Sequence, residues 1–177
     1  PIVDKIPRRL RGPVYAAATF LGVSGMAATC GENGKVWYYT QGPHSDGLSA
    51  GQPYAIDIAP QKPVACPGGK PAVEQMMEAP IGGTITTVGD EKDLRDKNHS
   101  IVLEKLSDGS FIGFMHFADI KVKVGQIVSA GDDLGAPSCE IPPGGKTIGA
   151  HVHVFRLDKD GKPLSVAGME ISGWHVN

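Results

Sequence analysis

Neither sign of charge dominates this chain of 177 residues: 17 Lys and Arg stand against 19 Asp and Glu, for a formal net charge of −2. The broad basic field that draws in nucleic acid or anionic lipid is therefore missing. Aromatic residues are scarce at 6%, which also excludes an extended base-stacking platform. No apolar run is long enough to cross a bilayer as a helix, so no transmembrane segment is expected. Cysteine is limited to Cys30, Cys66 and Cys139. These permit one disulfide with one thiol left over, and leave both the pairing and the redox compartment open. The length suits one domain with a substantial core and is short for two.

What the chain has in excess is punctuation, with 24 Gly and 14 Pro. Such density cuts the chain into short segments and leaves little room for long helices, which points to an all-β or β-rich domain. Residues 35–40 are aromatic and β-branched between Asn33-Gly34 and Gly42-Pro43 and read as a strand. Residues 54–59 form a second, stopped by Pro60, after a loop over 41–52. The Pro- and Gly-rich stretch 61–78 reads as a loop excursion with one helical turn near 74–77. Beyond it comes a meander: a strand over 83–88, a charged loop over 90–98, and a hairpin of 100–106 with 110–117 across Ser107-Asp108-Gly109. Short strands over 122–128 and 133–135 follow, then a loop over 137–149 and a last hairpin turning at 158–161. Near the start, Arg8, Arg9 and Arg11 precede an apolar run over 14–28, a pattern shared with secretory leaders. The reading adopted is a β segment that packs on the domain. A single domain with its core over 42–157, an N-terminal β extension over 1–41 and a C-terminal hairpin and tail over 158–177 is expected.

Gly149-Ala150-His151-Val152-His153-Val154-Phe155 carries the chemistry. Val152, Val154 and Phe155 favour a strand, whose alternation projects His151 and His153 from one face. Alone, His-x-His fits two solvated histidines on a half-exposed strand as well as it fits a cation site. The upstream residues favour the cation. Asp57 stands in Ala55-Ile56-Asp57-Ile58-Ala59, where burying a carboxylate without a cationic partner is costly. Zinc takes histidine nitrogens and carboxylate oxygens, and a catalytic zinc keeps one position open. Two histidines from His44, His151 and His153, with Asp57, would make such a site. His116, in Phe114-Met115-His116-Phe117, is expected to be neutral among apolar neighbours, the form a general base needs; the competing reading is a core histidine bonded to a backbone carbonyl. His99 and His175 receive no role. Gly145-Lys146-Thr147 resembles the end of a phosphate loop, but Glu140 stands where that pattern needs glycine. Asp158-Lys159-Asp160-Gly161 resembles part of a calcium loop, yet a hairpin turn accounts for it.

Taken in order, His44, Asp57, His116 and His151-x-His153 resemble the lysostaphin and β-lytic family of zinc metallopeptidases, over about residues 42–157. Ala79-Pro80-Ile81-Gly82-Gly83-Thr84-Ile85 and the stretch from Val122 to Gly135 are similar to family strands as well. The resemblance implies an antiparallel β fold with a groove over the metal, one Zn2+ ion held by His44, Asp57 and His153, and catalytic roles for His116 and His151. One of that pair would take a water's proton and the other would stabilise the oxyanion. It implies peptide bonds of bacterial peptidoglycan as substrate and an extracytoplasmic location. The chain departs from the family in the long spacing between His44 and Asp57, closer to the β-lytic branch, in Gly-Ala-His for Gly-Pro-His, and in the apparent insertion over 61–78. Two other readings compete: a non-catalytic zinc-binding regulatory or cell-wall-binding module of the same fold, and a carrier domain of the lipoyl or biotinyl type. The second needs a modifiable lysine at a hairpin tip, and no Met-Lys pair is present.

Overall fold

The computed structural model describes residues 27–29, 36–44, 54–60, 66, 75–90, 100–139, 149–171 and 174–176. In chain order they form β1 (Ala27–Thr29), β2 (Val36–His44), β3 (Ala55–Pro60), β4 (Met77–Glu78), β5 (Gly83–Asp90) and β6 (Ser100–Lys105). There follow β7 (Phe111–Met115), β8 (Phe117–Ile120), β9 (Ile127–Val128), β10 (Asp133–Pro137), β11 (Val152–Leu157), β12 (Glu170–Ile171) and β13 (Trp174–His175). No helix occurs among the described residues, and so none long and apolar enough to cross a membrane.

An eight-stranded sheet in the order β1-β2-β3-β11-β7-β6-β5-β9 carries the architecture, flanked by a three-stranded sheet β4-β10-β8 and the pair β12-β13. All strand pairings among the described residues are antiparallel, as the meander of short strands and the family resemblance led us to expect. Strand alternation divides the large sheet into two faces. Ile56 and Ile58 of β3, Val152 and Val154 of β11, Ile112 and Phe114 of β7, and Val102 of β6 enter one core cluster with Trp37, Phe117 and Leu134. Each large apolar side chain buried there stabilises the fold by about 1.5–3 kcal/mol. Tyr54, Ala55, Ile101, Met115 and Phe155 form a second cluster. The Phe155 ring lies across Gly113, where a β-carbon would collide with the ring. That close approach explains a glycine inside a buried strand.

The predicted hairpin is present. Gly109 adopts φ +87°, and Asp108 Oδ1 accepts from the Ser110 backbone N–H at 2.9 Å and from its hydroxyl at 2.6 Å. The turn at 158–161 also forms, with Asp158 Oδ1 accepting the backbone N–H groups of Asp160 and Lys162 at 2.8 Å each. These bonds use the carboxylate as a turn cap. Two local expectations change. The helical turn near 74–77 is replaced by β4, whose Glu78 pairs with Asp133 of β10; tertiary pairing overrides helix propensity. Over 122–128 only Ile127–Val128 is strand, because Gly125 turns the chain at φ +84° and donates to the Ile85 carbonyl at 2.8 Å. The last hairpin is present but short, with a bridge between Leu157 and Pro163 and backbone bonds from Asp158 N–H to the Lys162 carbonyl at 2.8 Å and from Leu164 N–H to the Arg156 carbonyl at 3.0 Å, and the tail pairs with itself as β12-β13. Of the apolar run near the start, only β1 lies within the described residues. Cys30, His99, most of the loops over 41–52, 61–76, 90–98 and 137–149, and Gly145-Lys146-Thr147 lie outside them.

Glu104 breaks the apolar rule. It shares the core face of β6 with Val102, is fully buried, and neither carboxylate oxygen has a hydrogen-bond partner among the described residues. Burial pushes its carboxyl up from 4.5 to about 7. Because the folded value is the higher, its stabilisation is complete below pH 4.5 and is lost as pH rises through about 7. Glu104→Gln cannot ionise. Its stability relative to wild type is expected to rise by on the order of 3 kcal/mol between pH 4 and pH 8 in urea unfolding. A difference that does not vary with pH would refute the assignment.

Candidate active site

The site lies where β2, β3, β11 and the end of β7 meet. On β3, Ile56 and Ile58 enter the core, which turns Asp57 to the opposite face. Antiparallel register puts His153 of β11 directly across from Asp57. Both side chains are buried, and His153 Nδ1 lies 2.9 Å from Asp57 Oδ1. On its other ring edge, His153 Nε2 is buried with no hydrogen-bond partner among the described residues.

His44 reaches the same point through irregularity. The β2-β3 ladder shifts register twice, between Tyr39 and Gln41 and again between Gln41 and His44. Each shift places an extra residue on β2, the signature of a β-bulge, and Pro43 has no N–H to continue the ladder. His44 is thereby aimed at Asp57, with Nε2 3.7 Å from Oδ1. Its Nδ1 lies 2.8 Å from the Gly42 carbonyl, which can only accept, so Nδ1 carries the proton. A neutral His44 then presents a lone pair on Nε2 to a carboxylate oxygen. At 3.7 Å the two atoms are too far apart for a direct hydrogen bond. A metal ion between that ring nitrogen and the carboxylate oxygen would satisfy both.

The donor set fits zinc. Ligand atoms of His44, Asp57 and His153 all lie within 4.8 Å of one another. Two donors on a common tetrahedral zinc at about 2 Å stand roughly 3–3.5 Å apart; the observed 2.9 and 3.7 Å bracket that value. Two imidazoles and one carboxylate also leave a fourth position open. Asp57 feels opposing influences: burial raises its pKa, while the neighbouring imidazoles of His153, His151 and His44 lower it, and the lowering prevails. Its backbone is anchored by Thr40, whose hydroxyl donates to the Asp57 carbonyl at 3.2 Å.

His116 and His151 stand beside this trio. Their ring centroids are 4.9 Å apart, and His116 is 5.9 Å from His153. His116 occupies the break between β7 and β8 with φ +71°, the one described non-glycine residue with positive φ. That conformation costs roughly 1–2 kcal/mol for an L-residue and recurs where surrounding structure holds a functional group in place. His151 directs Nε2 towards Asp57 Oδ2 at 3.9 Å, while its Nδ1 meets the Gly149 carbonyl at 3.1 Å. All five residues named from the sequence therefore converge. His175 lies in β13.

Other contributors escaped the sequence reading. The Gly42 and Gly149 carbonyls each fix a histidine tautomer two residues on, and the repeated Gly-x-His was a legible signal for them. Tyr39 is half-buried, with its phenol pKa raised by burial and by the charge of Asp57. Ser138 is fully buried; its N–H donates to the His116 carbonyl at 2.7 Å, and its own carbonyl accepts from the His151 N–H at 3.4 Å. No sequence pattern marked it. Cys66 and Cys139, whose pairing was open, form a disulfide.

No family model matches the sequence, and no curated relative matches it either. Solved structures do share its shape. Pseudoalterin, an M23 metalloprotease from the deep sea, superposes with a TM-score of 0.60 at 20% identity, over 84% of this chain and 76% of its own. The catalytic domain of the antimicrobial peptidase lysostaphin from Staphylococcus simulans aligns at 22% identity over 71% of this chain and 81% of its own, with a TM-score of 0.48. The prophage-encoded M23 protein EnpA from Enterococcus faecalis, represented by a point mutant of its catalytic domain, aligns at 19% identity over 84% and 93%, with a TM-score of 0.46. The chain has the fold of the M23 metalloprotease pseudoalterin.

Proposed function

We propose that this chain is a zinc metalloendopeptidase that hydrolyses peptide bonds in bacterial peptidoglycan, acting outside the cytoplasm. The observation that carries the reading is the opposed pair His44 Nε2 and Asp57 Oδ1, completed by His153 and flanked by two further histidines. The fold shared with an M23 metalloprotease supports the reaction class. In this reading His44, Asp57 and His153 hold one Zn2+ ion. When bound, zinc supplies Lewis acidity and makes water a stronger acid near neutral pH.

The remaining steps belong to side chains of this chain. Gly149 accepts from His151 Nδ1, so the lone pair resides on His151 Nε2, on the side of the metal trio. That is the atom placed to take a proton from attacking water. His116, across the 4.9 Å ring separation, donates a hydrogen bond to the carbonyl oxygen as negative charge develops there. As the water oxygen bonds to carbon and the C–N bond breaks, His151 returns its proton to the leaving nitrogen. Burial of His116 and the low exposure of His151 limit competing water.

The test is hydrolysis of dye-labelled, purified peptidoglycan. Release of soluble dye, loss of release with a zinc chelator, recovery with added zinc, and new amino termini without new reducing ends are expected. Chelator-insensitive release, or new reducing ends, would refute the reading. Zinc bound without any release would favour the non-catalytic module.

A further inference from the structure

The metal trio and the flanking histidine pair are held by different means. Asp57 and His153 sit on paired strands β3 and β11, and His44 ends the strand paired to β3. His116 instead falls between two strands, at φ +71°, and His151 precedes β11 as an isolated bridge to Ser138. One short segment links that pair. After Pro137 pairs with Phe117, Ser138 donates to the His116 carbonyl and accepts from the His151 N–H, so its backbone joins the two histidines. The next residue, Cys139, is bonded to Cys66, a residue of the apparent insertion at a sequence separation of 73. The segment is thus held by β10 on one side and by a covalent link on the other.

We propose that the Cys66–Cys139 disulfide is a positioning element for catalysis: by fixing Ser138, it holds His116 and His151 in register while leaving the metal trio to the strand ladder. The proposal rests on the catalytic reading of those two histidines. A backbone held in the left-handed region persists only where surrounding structure over-determines it, and the 3.4 Å bond from His151 to Ser138 is too long to hold by itself. Severing the covalent link relaxes the segment where it meets both rings. Misplacement of reacting groups by about 1 Å costs up to roughly 100-fold in rate.

The test is the double variant Cys66→Ala/Cys139→Ala in the full chain, loaded with zinc and compared with wild type on dye-labelled peptidoglycan. Unchanged zinc content, a maximal rate lower by roughly 10–100-fold and an apparent KM within about twofold are expected. Imidazole NMR resonances of His116 and His151 should shift or broaden, while those of His44 and His153 stay in place. Full activity with unmoved resonances, or loss of zinc in parallel with rate, would overturn the proposal. If the variant fails to fold, it is replaced by wild type reduced with dithiothreitol, which takes up the bond as its own cyclic disulfide and is then removed by gel filtration without oxygen before the protein is reloaded with zinc. Unfolding there too would mark the bond as a global staple and overturn the proposal. The NMR comparison separates the outcomes: if wild type shows no hydrolysis, the catalytic reading fails, while selective movement of His116 and His151 still reports on positioning.

Discussion

Asp57→Asn is expected to leave the chain folded and to strip it of its metal. The substitution keeps the side chain's shape opposite His153 but removes the negative charge on which His44, His151 and His153 converge. An amide oxygen is a far poorer zinc ligand than a carboxylate. The loss in zinc affinity should therefore exceed the roughly 10–100-fold typical when a supporting residue is removed. Metal analysis after gel filtration, with titration against a chromophoric chelator, measures it, and peptidoglycan hydrolysis should disappear in proportion. Wild-type zinc affinity in this variant would mean that the cation site lies elsewhere.

His116→Gly separates the metal from the chemistry. Zinc content should match wild type, because His116 lies outside the trio whose donors lie within 4.8 Å of one another. Turnover should fall by about 10²–10⁴-fold, the usual contribution of a proton-handling or oxyanion-stabilising side chain. The same variant should be more stable in its backbone than His116→Ala by roughly 1–2 kcal/mol, since only glycine adopts φ +71° without a steric penalty. Rates on peptidoglycan, zinc stoichiometry and urea midpoints measure the three effects. Retained turnover would remove His116 from the mechanism. Equal stability of the glycine and alanine variants would remove the strain from the account. Asp57→Asn and His116→Gly thus fail differently, one through the metal and the other with the metal in place.

Much of this site was legible because a strand reveals its faces within a few residues. Ile56 and Ile58 flank Asp57, and Val152 and Val154 flank His153. Period-two alternation alone puts both polar side chains on the face away from the core. The hairpin at Ser107-Asp108-Gly109 was equally local, since it depends on a left-handed glycine and a short side-chain cap. Expectations failed where partners from far along the chain decided the outcome. The helical turn near 74–77 became β4 because β10 lies beside it, and the strand over 122–128 shortened because Gly125 turns back to bond Ile85.

By itself the sequence determined the all-β class, the shared face of the two histidines in His-x-His, and which five residues to look for in one place. Only tertiary structure decided that Asp57 and His153, separated by 96 positions, stand directly opposite, that two bulges aim His44 between them, and that Ser138 joins His116 to His151. The physical reason is range. Alternation follows from the dihedral angles of one segment, whereas register, bulges and the left-handed turn at His116 are fixed by how several segments pack together.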